Sequence, residues 1–351
     1  MEKRQTERKP YALKSEKINR AIEALVSEGG MSSVDSDLLT QMITTVLKLR
    51  DEAVERGDLK ILNTTLKELR WAFKVYSPYR SVRKVTIFGS ARTPKQHAWY
   101  KSAKEFGRLM AEAKWMVITG GASGIMEAGN EGAGRPYSFG ANIRLPFEQA
   151  TNVTMENDKK LINFKYFFTR KLIFVKESDA ICLFPGGFGT LDEAFEALTL
   201  IQTGKMMPRP IVAVEPKGST YWRSWLNFIE RSLLNNKMID AADMSLFQIV
   251  RSAKAARDTI LGFYRNFHST RFVGDVLVIR IKSKPSSKDL ERLTRKFKDI
   301  IVKGKIEHSS ALAAESNETG IASLPRLVFQ FDRRSYGRLK QLIDGINKTG
   351  G

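Results

Sequence analysis

Apolar residues recur along this chain with two different periods, and the change between them divides it. Up to about residue 80 the spacing is helical: Ile18, Ile22, Leu25 and Val26 share one face, and Leu38, Leu39, Met42, Ile43, Val46 and Leu47 form the next stripe. Gly29-Gly30 and Gly57-Asp58 punctuate these helices. A third, from Leu59 through Trp71 with Leu62, Leu66 and Leu69, stops at Ser77-Pro78. Residues 1–80 are thus predicted to be a helical extension that serves packing or oligomerisation, with ligand binding as the alternative.

From Val82 the pattern becomes strand, small-residue loop, helix, repeated. Val85-Thr86-Ile87-Phe88 runs into Gly89-Ser90-Ala91-Arg92 and a helix with Trp99, Phe106, Leu109 and Met110. Trp115 to Thr119 runs into Gly120-Gly121-Ala122-Ser123-Gly124 and then Ile125-Met126-Glu127-Ala128. Ala180-Ile181-Cys182-Leu183-Phe184 runs into Pro185-Gly186-Gly187-Phe188-Gly189-Thr190. Further strands are expected at Ser138–Leu145 and Pro210–Glu215. Such alternation predicts an α/β fold, a Rossmann-like doubly wound parallel sheet over residues 81–267, with the three loops on one edge and the ligand at the carboxyl ends of the strands.

After residue 267 the pattern changes again. Val276 to Ile281 reads as a strand, Ser287–Ile301 as a helix, Leu327 to Phe331 as a strand and Ser335–Ile346 as a helix, which makes residues 268–351 a small α+β module. Ser309–Ser323 is small and polar, a loop whose composition allows mobility.

The third loop carries most of the chemistry. Glycines at 186, 187 and 189 let a ligand approach the backbone, and the helix that follows offers free N–H groups and its positive dipole end to a phosphate. Two readings of Glu193 compete, because Thr190-x-x-Glu193 ahead of an apolar run is also a capping box that does no more than close the helix end. The stretch from Asp158 to Lys171 is both aromatic and basic, and most of its aromatics are expected to pack in the core on one helix face. The Leu145-Pro146-Phe147-Glu148-Gln149 turn either closes over the ligand or is a rigid loop.

Composition adds exclusions. Of 351 residues, 42% are hydrophobic and 27% charged, an ordinary globular balance. The net charge of +20 is unusual, but its basic residues are spread through all regions, so phosphate-bearing small molecules are favoured over nucleic acid as partners. One cysteine, Cys182, allows no internal disulfide, and three scattered histidines lack metal-ligand spacing, so no metal is expected. The first residues show no apolar signal region and no run is apolar enough to span a bilayer, which predicts a cytoplasmic chain. A clean Gly-x-Gly-x-x-Gly with its acidic partner is missing, so a mononucleotide suits the loops better than a dinucleotide cofactor.

The pattern Pro185-Gly186-Gly187-x-Gly189-Thr190-x-x-Glu193, preceded by Arg170-Lys171, resembles the "lonely guy" family of nucleoside 5′-monophosphate phosphoribohydrolases, long labelled possible lysine decarboxylases. The resemblance covers roughly residues 81–266. It implies an AMP nucleosidase-like enzyme without a cofactor, at least dimeric with its sites near the subunit interface, that frees the base of a purine nucleoside monophosphate such as AMP or a cytokinin riboside monophosphate. Glu193 and Arg170 would be catalytic, and Gly186, Gly187, Gly189 and Thr190 would hold the phosphate. Gly89, Ser90, Arg92, Gly121, Ser123 and Lys171 would contribute further substrate contacts. Two departures bear on selectivity: Ala122 replaces a glycine of the second loop, and Glu127 stands where shorter members often have glycine. Decarboxylation is disfavoured, since no Schiff-base lysine with a partner for a pyridine nitrogen is apparent. A nucleotide sensor or carrier without turnover is the alternative.

Overall fold

The computed structural model describes residues 11–28, 35–145 and 151–349. It divides into two compact units, the chain up to Lys67 and the chain from Glu68 onward. In the first, the amphipathic helices α1 (Glu16–Glu28) and α2 (Ser36–Asp51) pack on each other. Helix α3 (Arg56–Tyr76) then runs into the second unit and ends where Pro78 enters a single 3₁₀ turn. The expected Gly29-Gly30 break and most of the 145–149 turn lie outside the described residues.

The second unit is built on seven parallel strands. In chain order they are β1 (Lys84–Phe88), β2 (Met116–Thr119), β3 (Ser138–Ile143), β4 (Leu161–Phe164), β5 (Ala180–Leu183), β6 (Ile211–Val214) and β7 (Phe247–Val250), in the spatial order 4-3-2-1-5-6-7. The connecting helices are α4 (Ala98–Glu112), α5 (Ile125–Ala133), α6 (Phe167–Glu177), α7 (Phe188–Gln202), α8 (Tyr221–Phe228) and α9 (Ala253–Phe263). Strands β1, β2, β5 and β6 are buried along their whole length, as continuous apolar runs between two helical layers must be. Cys182 sits in that core, where burial pushes its thiol well above the usual range. The order of strands reverses between β1 and β5, so the crevice at their carboxyl ends is the switch point where such sheets take ligands.

Sequence reading and structure differ in places. The aromatic stretch before Arg170 is interrupted: Leu161–Phe164 is strand β4, and the helix starts only at Phe167. Phe164 is buried as expected, but Phe167 and Phe168 are 51% and 52% exposed and do not belong to the core. A short strand, β7, ends at Val250, and helix α9 follows it over Ala253–Phe263.

A second, antiparallel sheet follows, formed by β8 (Phe267–Val273), β9 (Val276–Ile281), β10 (Glu307–Ser309) and β11 (Arg326–Phe329) in the order 10-11-9-8. Helices α10 (Ser287–Lys296) and α11 (Tyr336–Ile346) complete the α+β arrangement. The 309–323 loop is tied down. Its Glu315 is buried, meets Arg280 at 2.6 Å and the fully buried Arg326 at 3.3 Å, and accepts the Leu312 amide at 3.0 Å. Burial alone would raise this carboxyl, but the amide and the two guanidinium groups outweigh it and hold the group at about 2.

Replacing Glu315 with Ala leaves two buried guanidinium groups without their shared carboxylate and is expected to cost about 3–5 kcal/mol in urea unfolding. Because the folded value lies below the ordinary one near 4.5, the stabilisation is complete above that pH and is lost as pH falls toward 2. An Ala variant with an unchanged urea midpoint at neutral pH would contradict this role.

Candidate active site

Three loops meet at the carboxyl ends of β1, β2 and β5 and lock to one another through the backbone. The Ser90 amide donates to the Pro185 carbonyl at 3.1 Å, the Ile125 amide donates to the Ser90 carbonyl at 3.0 Å, and the Ser123 hydroxyl donates to the Ala91 carbonyl at 2.9 Å. The second loop is clamped from below. Thr119 Oγ1 accepts the Gly121 amide and donates to Asn130 Oδ1 at 2.7 Å, while Asn152 Nδ2 donates to that oxygen and to the Ala122 carbonyl. The Tyr221 hydroxyl supports the third loop from its far side by donating to the Gly186 carbonyl at 2.6 Å.

Helix α7 begins at Phe188 with Gly187 as its N-cap, and no side chain caps it. The capping-box reading of Thr190 and Glu193 is therefore overturned, because the helix opens two residues before Thr190 and Glu193 lies well inside it. The glycines differ in what they do. A Cβ on Gly186 would strike the Thr190 side chain and stand 2.9 Å from the Ser90 amide, so tight packing of the two loops requires glycine there. Gly187 and Gly189 have no neighbour within 4 Å of such a Cβ and no positive φ, so nothing in the protein demands their small size. They face open space at the end of a helix whose first amides have no intrahelical acceptor.

That space is a cavity of about 730 Å³, lined by Gly89, Ser90, Arg92, Gly120, the 186–191 loop, Arg170 and Glu193, with Phe88, Met126 and Phe174 as an apolar wall. Glu193 is only 6% exposed. Burial raises its carboxyl to about 7, against the pull of Lys171 and Arg170, while Glu196 and Asp192 add to the rise. Arg170 is lowered by burial, with Glu193 and Asp192 opposing the shift, and its Nε finds no hydrogen-bond partner among the described residues. Its guanidinium lies over the rings of Phe167 and Phe174, at 4.9 and 5.6 Å from their centroids. Such a group carries unused donors beside a buried carboxylate, a pair suited to an anionic ligand with a reacting centre that becomes positive.

Not all the expected residues converge. Lys171 lies outside the cavity lining, bound to Asp192 and Glu196 at 2.9 Å each and 4.0 Å from Glu193, so it acts on the site through charge. Gly121 is buried behind the lining, and Ser123 is occupied with Ala91; Gly120 takes the place expected of Gly121, and a Cβ there would come within 3.9 Å of Arg170 Nη1. Glu127 is held by Lys95 at 2.8 Å, outside the cavity lining. The apolar wall has no signal of its own in the sequence beyond Met126 lying two residues after the second glycine loop.

Comparison with known proteins places the central part of the chain among a set of relatives. The family model described as "Possible lysine decarboxylase" matches residues 120–260. A cytokinin riboside 5′-monophosphate phosphoribohydrolase of Mycobacterium tuberculosis is 30% identical over 168 residues, which span 47% of this chain and 87% of that protein. One from Arabidopsis thaliana is 25% identical over 183 residues, 51% of this chain and 80% of the relative. A molybdenum cofactor carrier protein from Chlamydomonas reinhardtii superposes with a TM-score of 0.37 at 18% identity, covering 51% of this chain and 96% of its own. Identity to the mycobacterial enzyme along most of that enzyme's length establishes the relationship: the chain belongs to the "lonely guy" family of phosphoribohydrolases.

Proposed function

We propose that this chain hydrolyses the N-glycosidic bond of an adenine nucleoside 5′-monophosphate, AMP or an N6-modified relative such as a cytokinin riboside monophosphate, to free base and ribose 5-phosphate. The observation that carries this reading is the buried Glu193 carboxyl in one cavity with a glycine-rich helix start and Arg170. The phosphate sits on the free amides around Phe188 and Gly189, where the helix end favours negative charge. The ribose then lies over Glu193 and the base against Met126, Phe88 and Phe174. As the bond from C1′ to the base nitrogen breaks, its electron pair leaves with the base and the sugar becomes oxocarbenium-like. The Glu193 carboxylate stabilises that charge and takes a proton from the attacking water, while the departing base nitrogen takes up a proton from solvent. Arg170 stays cationic and clamps the phosphate or sugar oxygens.

The purified chain is expected to release adenine from AMP, and to act on adenosine far more slowly because the phosphate contacts are lost. Chromatographic assay of base release decides this; equal rates on nucleotide and nucleoside contradict the phosphate assignment, and tight AMP binding with no release favours a carrier.

Turnover should rise with pH through about 7 and level off above it, as the Glu193 carboxyl ionises. Glu193→Gln is expected to lower kcat by roughly 10²–10³-fold, with no fall in melting temperature and with the pH limb abolished. Full activity in that variant would remove Glu193 from the mechanism.

The chain is also proposed to work as at least a dimer, supported by the exposed Phe167, Phe168 and Leu172 on α6 beside the site. Light scattering should give twice the chain mass or more; a monomer at working concentration contradicts it.

A further inference from the structure

Helix α6 brings Arg170 and Lys171 to Glu193, yet its own sequence does little to fix where it starts. Its N-cap, Tyr166, makes no side-chain cap bond, and the first-turn rings of Phe167 and Phe168 lie half in solvent. The missing fixation comes from Glu68, on the last turns of α3 and outside the 120–260 span that the family model matches. Glu68 Oε1 accepts the Lys165 amide at 2.6 Å, and Oε2 lies 2.5 Å from the hydroxyl of Thr169, which also reaches the Tyr166 carbonyl at 2.9 Å. A carboxylate at this end of a helix also meets the positive end of the dipole.

Glu68 is itself held firmly. Ala72 and Tyr76 follow it at four-residue steps on the same face of α3, and both are buried. The Tyr76 ring stacks on Phe139 of β3 with centroids 4.4 Å apart, and Lys84 Nζ donates to the Tyr79 and Val82 carbonyls just beyond the helix. The carboxylate is thus referenced to the sheet that carries the glycine loops.

We propose that Glu68 is a positioning residue for the reaction: it sets the first turn of α6 so that Arg170 and Lys171 stand against Glu193. The assignment rests on the proposed hydrolase reading for its effect on turnover, but the placement of charge around Glu193 can be measured without turnover. The charged groups facing Glu193 are Arg170 and Lys171 from α6 and Asp192 and Glu196 from its own helix, with Arg92 lining the same cavity. If α6 drifts, the two cations that restrain the Glu193 carboxyl move away and it should titrate higher.

The test follows Glu193 by carbon NMR in the full chain, assigned by loss of its signal in Glu193→Gln, alongside AMP hydrolysis. In Glu68→Ala, Glu193 is expected to titrate above its value of about 7, and kcat/KM to fall about 10- to 100-fold, the scale of a misplacement near 1 Å. Glu68→Gln keeps an acceptor for Lys165 and a group for Thr169, so it should restore most of both. A purely structural cap predicts a lower melting temperature with titration and kcat/KM unchanged well below it, and that result overturns the proposal. Should Glu68→Ala fail to fold, Thr169→Val removes one of the two contacts from the other side and carries the same expectations. A wild-type chain that frees no base contradicts the hydrolase reading alone, and the titration still decides the role of Glu68.

Discussion

Keeping one carboxylate out of water is the constraint around which the sheet edge is arranged. Glu193 is buried inside the first turns of α7, where its charge is disfavoured by desolvation and by its own helix neighbours Asp192 and Glu196. Two cations from α6 limit that penalty without forming a tight pair with it, since Lys171 spends its short contacts on Asp192 and Glu196 and remains 4.0 Å away. The result is a carboxyl poised near neutrality. A direct salt bridge would have driven it far into the ionised range and a fully apolar pocket would have kept it protonated.

The rest of the site follows from holding these groups still. Parallel strands deliver three glycine loops to one edge, and backbone hydrogen bonds between the loops replace the side-chain contacts that glycines cannot make. Thr119, Asn130 and Asn152 do the same for the second loop from within the core. Rigidity of this kind suits a site that must place donors before charge develops.

Much of this was legible in the residues. Buried parallel strands are continuous apolar runs, and each ended in a glycine loop, so β1, β2 and β5 and their shared edge could be read directly. Strand β4 was hidden because Leu161–Phe164 merges into the aromatic helix with no glycine or proline between them, and β7 because it is four residues long and abuts α9. The start of α7 is obscured for a physical reason: Thr190 is a good capping residue, but the chain turns helical at Phe188, after an N-cap glycine whose lack of a side chain leaves the amides uncovered. Contacts between distant segments were out of reach altogether. Glu68 meets Lys165 across 97 positions, and the Glu315 cluster joins a polar loop to two strands on either side of it, neither of which leaves a local signature.

Catalysis by Glu193 requires a nucleotide to lie with its ribose against that carboxyl. A crystal structure of the Glu193→Gln variant with AMP tests it most directly. Phosphate oxygens are expected on the amides around Phe188 and Gly189, the Arg170 guanidinium on phosphate or ribose oxygens, and C1′ facing the side chain at position 193. AMP bound elsewhere, or with its ribose turned away from that residue, would contradict it.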